Sequence, residues 1–377
     1  MTARGEDTRV NAEINETQSD MFMPPLLDGA DAADEAFAQD SKSLIDVSRD
    51  GTRSRSQRIR SFEELIDLEI GDTNFSRIRN FERNFELRQI FVKFEGGNPT
   101  GTQKDRIAFA QALDALRRGY DAVTLATCGN YGVAMATAAY MAGLRCIIHI
   151  PEEYHTKRMA EMEAMGAIIV RNDGDYEESI INSRMQAERE DIYDANPGGA
   201  NTALQLKAYG EIAHELFDEL RDAPAMVAVP VSNGTTLAGI YSGFLSLYRR
   251  GKTSRIPKMI AGSAFHQNPI VLGFLANLEH CEDLKPERIK ETAVNEPLVN
   301  WHSQDGDHAL HALRTSNGWA AHVSDKRMKY LSKLLREQEG LHVLPASTAG
   351  LHAFLAYKEK NTLPGDRYVI ILTGRKA

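Results

Sequence analysis

The sequence predicts an α/β protein of two lobes, each with a mainly parallel sheet flanked by helices. Three observations predict it. Apolar strand-like runs alternate with helical patterns between about residues 119 and 199, the signature of βαβ units. The alternation resumes at Thr202 and continues to an apolar run, Tyr368–Leu372, near the C-terminus. A chain of 377 residues is long enough to bury two cores.

In chain order, residues 1–57 are rich in Asp, Glu, Ser, Thr and Arg and read as a polar extension, partly disordered. Arg53, Arg55, Arg58 and Arg60 read as its solvated face, with an anion-binding cluster as the alternative. Residues 58–118 and 200–377 are assigned to a larger lobe and 119–199 to a smaller one. Ser61, followed by Glu64 and apolar residues, reads as a capped helix start. Ile90-Phe91-Val92 reads as a buried strand, and a helical pattern opens at Lys104. Strands are expected at 123–126, 146–150 and 167–170, with helices at 132–141, 155–165 and 175–189. The larger lobe has expected helices at Thr202–Leu220, 236–250 and Asp325–Glu339. Its expected strands are Met226–Pro230, 259–263 and Tyr368–Leu372. Segment 266–300 shows no readable period.

Forty-four basic against 53 acidic residues give a net charge of −9, which argues against nonspecific nucleic-acid binding as the main role. An anionic small molecule is not excluded, because local charge in a cleft outweighs the total. No stretch approaches the ~20 apolar residues of a membrane span, and the first residues are polar rather than a secretory signal. Cys128, Cys146 and Cys281 are scattered, with no Cys-x-x-Cys pair or His/Cys cluster. Reduced thiols in a cytoplasm and no metal site are therefore expected.

Four stretches carry chemistry. The first is Glu95-Gly96-Gly97-Asn98-Pro99-Thr100-Gly101-Thr102-Gln103-Lys104-Asp105-Arg106, a tight loop that sets a lysine at a helix start. Such a lysine suits Schiff-base chemistry, although the residues alone are equally those of a surface loop with a solvated amine. The second is Thr127-Cys128-Gly129-Asn130-Tyr131-Gly132, between strand and helix, where N–H groups face a carboxylate. A plain turn capped by Asn130 also accounts for it. The third is Pro230-Val231-Ser232-Asn233-Gly234-Thr235-Thr236, again strand–loop–helix and a nest for a phosphate, without the lysine of a nucleotide-binding loop. The fourth is Leu372-Thr373-Gly374, which has almost no specificity as a bare tripeptide.

In their order these stretches resemble fold-type-II pyridoxal-phosphate (PLP) enzymes, and most of all the threonine synthase family. The resemblance runs from about Gly71 to Gly374. It implies that Lys104 carries PLP, and that Asn130 bonds the ring hydroxyl. Ser232, Asn233, Gly234, Thr235 and Thr236 would cup the phosphate, and Thr373 would partner the pyridine nitrogen. It further implies that Thr127, Cys128, Gly129, Asn130 and Tyr131 hold the substrate's carboxylate, and that the enzyme is a homodimer. Arg106 is the expected anchor for an anionic leaving group, with a pairing to Asp105 or a neighbour as the alternative.

The chain departs from the family where substrate groups beyond the amino-acid core are handled. Gly198-Gly199 replaces Tyr-Arg after Asn196-Pro197, Leu344 replaces Glu before Pro345, and Asn295-Glu296-Pro297 stands for Gly-Asn-Pro. The leading expectation is a carbon–oxygen lyase on a phosphorylated amino acid, converting O-phosphohomoserine and water to threonine and phosphate. The alternatives are β-replacement on O-phosphoserine, as in cysteate or diaminopropionate synthesis, or an amino-acid dehydratase. A PLP-binding scaffold without activity is a fourth reading, against which the intact lysine argues.

Overall fold

The computed structural model describes residues 39–127, 129–152, 154 and 158–376. The chain opens with α1 (Gln39–Arg49), α2 (Arg55–Glu69), β1 (Asn74–Arg77), α3 (Arg79–Asn84) and β2 (Ile90–Phe94). Next come α4 (Lys104–Arg118), β3 (Ala122–Ala126), α5 (Asn130–Ala142), β4 (Arg145–Pro151), α6 (Met159–Ala164), β5 (Ile168–Asn172), α7 (Tyr176–Glu190) and β6 (Tyr193–Asp194). Then follow α8 (Thr202–Leu220), β7 (Met226–Pro230), α9 (Thr235–Arg249), β8 (Lys258–Ala264) and α10 (Pro269–Leu275). The chain finishes with α11 (Gly306–Thr315), β9 (Trp319–Val323), α12 (Asp325–Glu339), α13 (Ala349–Lys360) and β10 (Tyr368–Leu372).

The strands form two sheets. Six stand in the order β1-β2-β10-β7-β8-β9, parallel except for the β1–β2 pair. Four parallel strands stand in the order β5-β4-β3-β6. Every residue of β3, β7 and β10 is buried, because helices cover both sheet faces. That is why these strands read as unbroken apolar runs rather than as alternating ones. Their carboxyl ends lead into the loops of Thr127, Ser232 and Thr373, where an α/β sheet gathers its ligands.

The N-terminal boundary differs from the expectation. Residues 39–57 are not a loose extension: α1 buries Ile45, and Ser48 donates to the carbonyl of Met141 at 2.6 Å. Residues 1–38, the rest of that expected extension, lie outside the described residues. Helix α2 starts at Arg55, ahead of Ser61, because Ser54 accepts from Gln57 N–H in a capping box. Arg58, expected on a solvated face, donates to the carbonyls of Ser48 and Ala142, joining α1 to the end of α5. Its guanidinium satisfies carbonyls that a helix end leaves without partners. Helix α6 is shorter than expected, and residues 155–157 at its expected start lie outside the described set.

Glycines set the closest approaches between layers. A Cβ on Gly243 of α9 would lie 2.5 Å from the carbonyl oxygen of Gly210 on α8. One on Gly262 of β8 would lie 1.9 Å from the carbonyl oxygen of Ala349, where α13 begins. Gly262→Ala is therefore expected to lower stability by about 1–3 kcal/mol, read as a shifted urea midpoint with unchanged m-value.

Candidate active site

The loop before α4 is tied down along its length. Asn98 accepts from Gly71 N–H and donates to the Glu95 carboxylate, and Gly101 N–H donates to the Asn98 carbonyl at 2.8 Å. Gln103 N–H donates to the Thr373 carbonyl at 3.0 Å, so the C-terminal strand holds the loop from the other side. The Asp105 carboxylate accepts from the Thr100 N–H and hydroxyl, and burial pushes its pKa up to about 7. Lys104 is thus set at the first turn of α4 on a clamped backbone.

Beneath the loop lies a buried ion network. Arg106 donates to Glu95 from Nε and Nη2 (2.6 and 2.9 Å) and to Glu215 of α8 from Nη1 and Nη2 (2.6 and 2.9 Å). Lys93 reaches Glu215 at 2.5 Å. Arg106 is 5% exposed and is absent from the residues lining the cavity. Its expected role as an anchor for a leaving group is corrected accordingly: two carboxylates from separate elements occupy its donors, so it is a structural strut. Gly71 is suited to its place there twice over: its φ of 97° is one that side chains rarely adopt, and a Cβ would sit 2.8 Å from Glu215 Oε1.

Above the loop lies a cavity of about 460 Å³, lined among others by Lys104, Thr127, Gly129, Asn130, Tyr131, Ser232, Asn233 and Thr235. A smaller hollow of about 70 Å³ runs from Lys104 and Asn130 to Ser232, Gly234, Thr235, Thr236 and Thr373. The two share Lys104, Asn130, Ser232, Asn233 and Thr235. So every expected site residue except Arg106 and Cys128 borders one or the other, and Cys128 lies outside the described residues. Burial lowers the Lys104 pKa to about 8, against the pull of Asp305 and Glu296 in the other direction. Its Nζ stands 5.8 Å from the centre of the Tyr131 ring. The Tyr131 hydroxyl donates to the Ala195 carbonyl at 2.7 Å, and Ala126 N–H donates to the Asn196 side chain, so the segment around Asn196 braces the end of β3.

Gly234 caps α9 at φ 91°, and the first N–H groups of that 15-residue helix point at the smaller hollow without intrahelical acceptors. The Thr235 hydroxyl does not point the expected way: it donates to Asp305, which also takes the Thr202 hydroxyl at 2.8 Å. What Thr235 offers an anion is its backbone N–H. Asn130 accepts from Arg158 at 2.5 Å through Oδ1, so its amide nitrogen is the end that donates. Thr373 Oγ1 lies 3.1 Å from Ser347 Oγ.

Residues 66–374 match the family described as pyridoxal-phosphate dependent enzyme. The chain belongs to that family. It is 30% identical to a threonine synthase of Synechocystis over 76% of this chain and 71% of that protein. It is 27% identical to a threonine synthase of Methanocaldococcus jannaschii over 84% of this chain and 76% of that protein. The fold superposes on maize serine racemase with a TM-score of 0.70 at 18% identity, covering 85% of this chain and 92% of that one. The threonine deaminase of T.th. gives 0.69 at 19%, covering 85% of this chain and 97% of that one. The expected fold-type-II architecture and PLP cofactor are borne out.

The residues present fit PLP. A lysine with a depressed pKa stands at one end of the smaller hollow and a helix N-terminus at the other, with Thr373 on its wall. Sequence reasoning missed Asp305, Tyr154 and Glu291, which pack behind or around the cavity from connecting segments, and Glu177, which lies in the first turn of α7. Only Glu296 left a signal, as a departure from the family's asparagine.

Two outcomes are expected. Arg106→Met leaves Glu95 buried without a cation and costs about 3–5 kcal/mol in urea unfolding. For Lys104 the folded pKa is lowered to about 8 from the ordinary 10.5, so between these values the unfolded chain binds more protons. Apoenzyme stability relative to Lys104→Met therefore rises as pH increases from about 8 to 10.5, measurable by denaturation at stepped pH.

Proposed function

We propose that this PLP-dependent enzyme is a threonine synthase-like carbon–oxygen lyase, which removes the α-proton of an amino acid and expels a group from its side chain. The observation that carries the reading is the environment of Lys104: a clamped, dehydrated amine at the junction of the two hollows, with its pKa brought to about 8. An amine near neutrality both accepts and returns a proton. Bound PLP supplies the electron sink that makes an α-proton acidic.

The protein's own groups then have separate tasks. N–H donors of the loop from Thr127 to Tyr131 bind the substrate carboxylate, and the N-terminus of α9 with Ser232 and Gly234 binds the cofactor phosphate. Asn130, its carbonyl end held by Arg158, donates to the ring hydroxyl. Thr373 offers a neutral hydroxyl to the ring nitrogen. Lys104 takes the proton from the α-carbon and holds it on Nζ for return.

The similarity to threonine synthases over most of the chain supports O-phosphohomoserine as a first substrate. A second reading, dehydration of a hydroxy amino acid, is favoured by one observation: Asp175, Glu177, Glu291 and Glu296 line the cavity, and among the described lining residues Lys104 is the one cation.

The test is a panel of O-phosphohomoserine, O-phosphoserine, threonine and serine in D2O. The holoenzyme is expected to exchange the α-proton and release phosphate or water from at least one, and Lys104→Ala from none. Threonine with phosphate from O-phosphohomoserine identifies threonine synthesis, whereas 2-oxo acid with ammonia identifies dehydration. Absence of exchange with every member would falsify the proposal.

A further inference from the structure

Glu296 stands on a 3-10 turn, Glu296–Leu298, that faces the carboxylate-binding loop across the cavity. A Cβ placed on Gly129 would lie 3.7 Å from Glu296 Oε1, and among the described residues, its own chain neighbours aside, no other heavy atom would come within 4 Å of it. The carboxyl therefore looks across open space at the loop, on the same cavity wall system as Lys104. Burial and the neighbouring Glu291 push its pKa up to about 7, against a hydrogen bond from Tyr154. Burial raises Glu291 as well, and raises Glu177 to about 7. Asp175, the fourth carboxylate of the lining, accepts from Trp301 Nε1 at 3.0 Å.

This lining is unsuited to a phosphate ester. A dianion brought beside four carboxyl groups meets like charge from each one that is ionised, in a site of low dielectric, and Lys104 is the one cation among the described lining residues to offset it. Arg158, near by, is engaged by Glu161, the Thr100 carbonyl and Asn130. A hydroxyl has the opposite needs. It is uncharged, it hydrogen-bonds to carboxyl groups, and it departs only when given a proton.

We infer that Glu296 is the acid that protonates a departing side-chain hydroxyl, so that the site takes a β-hydroxy amino acid rather than its phosphate ester. The inference rests on the lyase reading of Lys104 and, against the O-phosphohomoserine that the similarity to threonine synthases supports, takes the dehydration reading of that site and names its substrate class. In the step, Lys104 Nζ takes the α-proton and the C–H electron pair forms the Cα–Cβ double bond. The Cβ–O bond breaks with its pair going to oxygen, the oxygen takes the Glu296 proton, and water leaves. Glu296 is left as a carboxylate and regains a proton from solvent, Lys104 releases the α-proton to solvent, and the unsaturated amine takes up water and hydrolyses to a 2-oxo acid and ammonia. No oxidant or reductant is required.

The test compares serine and threonine with O-phosphoserine in holoenzyme and in the isosteric Glu296→Gln. Wild type is expected to favour the hydroxy amino acids by at least about tenfold in kcat/KM, the value of one unfavourable charge contact of about 1.4 kcal/mol. Glu296→Gln is expected to lose about 100-fold or more in water elimination while α-proton exchange in D2O persists, since general-acid help is worth about 10²–10⁴. Calorimetry on the Lys104→Ala background at a pH about one unit above 7, where the Glu296 carboxyl is ionised, with and without Glu296→Gln, gives a readout independent of turnover: loss of the carboxyl should tighten O-phosphoserine binding. Unchanged elimination in Glu296→Gln, equal loss of exchange and elimination, or a wild-type preference for the phosphate ester would each overturn the inference. Wild type without any α-proton exchange would overturn the lyase reading and this inference together.

Discussion

The bidentate grip of Arg106 on Glu95 and Glu215 is the constraint under the whole site. A guanidinium buried to 5% exposure is stable only with its donors filled, and two carboxylates from separate elements fill them. Glu95 begins the loop that carries Lys104, and Glu215 belongs to α8 in the body of the fold. Removing either partner would strand a charge, so loop and helix are locked in one relative position. Lys93 and Asn98 extend the lock to β2 and to Gly71. The reactive amine is two residues from the strut and inherits its precision of placement.

Acidic side chains are concentrated above the loop, where the proposed chemistry takes place. Lys104 is the lone cation among the described residues lining the cavity, and four carboxylates surround the space beyond it. Burial pushes the amine down to about 8 and Glu296 up to about 7, and the two pull on each other in the opposite sense. An acid and a base of nearly matched strength lining one cavity are suited to moving protons near neutral pH. On the proposed reading the same arrangement narrows what enters, favouring hydrogen-bond donors over a further anion.

Much of the fold was legible because its signal is local. Helices Thr202–Leu220 and Asp325–Glu339 and strands Met226–Pro230 and Tyr368–Leu372 have the same bounds in sequence and structure, since buried strands and amphipathic helices carry their period in a few residues. The turn chemistry around Lys104, Asn130 and Gly234 is local too, so the loops that meet at the two hollows could be named in advance. Residues 39–57 misled because their few apolar residues are scattered among charges, and only docking of Ile45 and Ser48 on α5 gives them a partner.

The sequence by itself determined the alternation of strands and helices, the tight loops at strand ends and the family to which they belong. These follow from backbone preferences and short-range patterns that need no knowledge of what lies opposite. Tertiary structure alone decided that Arg106 is a strut and not a ligand, that the Thr235 hydroxyl turns to Asp305, and that Glu296 faces the loop of Gly129. Each depends on residues far apart in the chain meeting in space, and the charge or acceptor that a side chain meets there sets its chemistry.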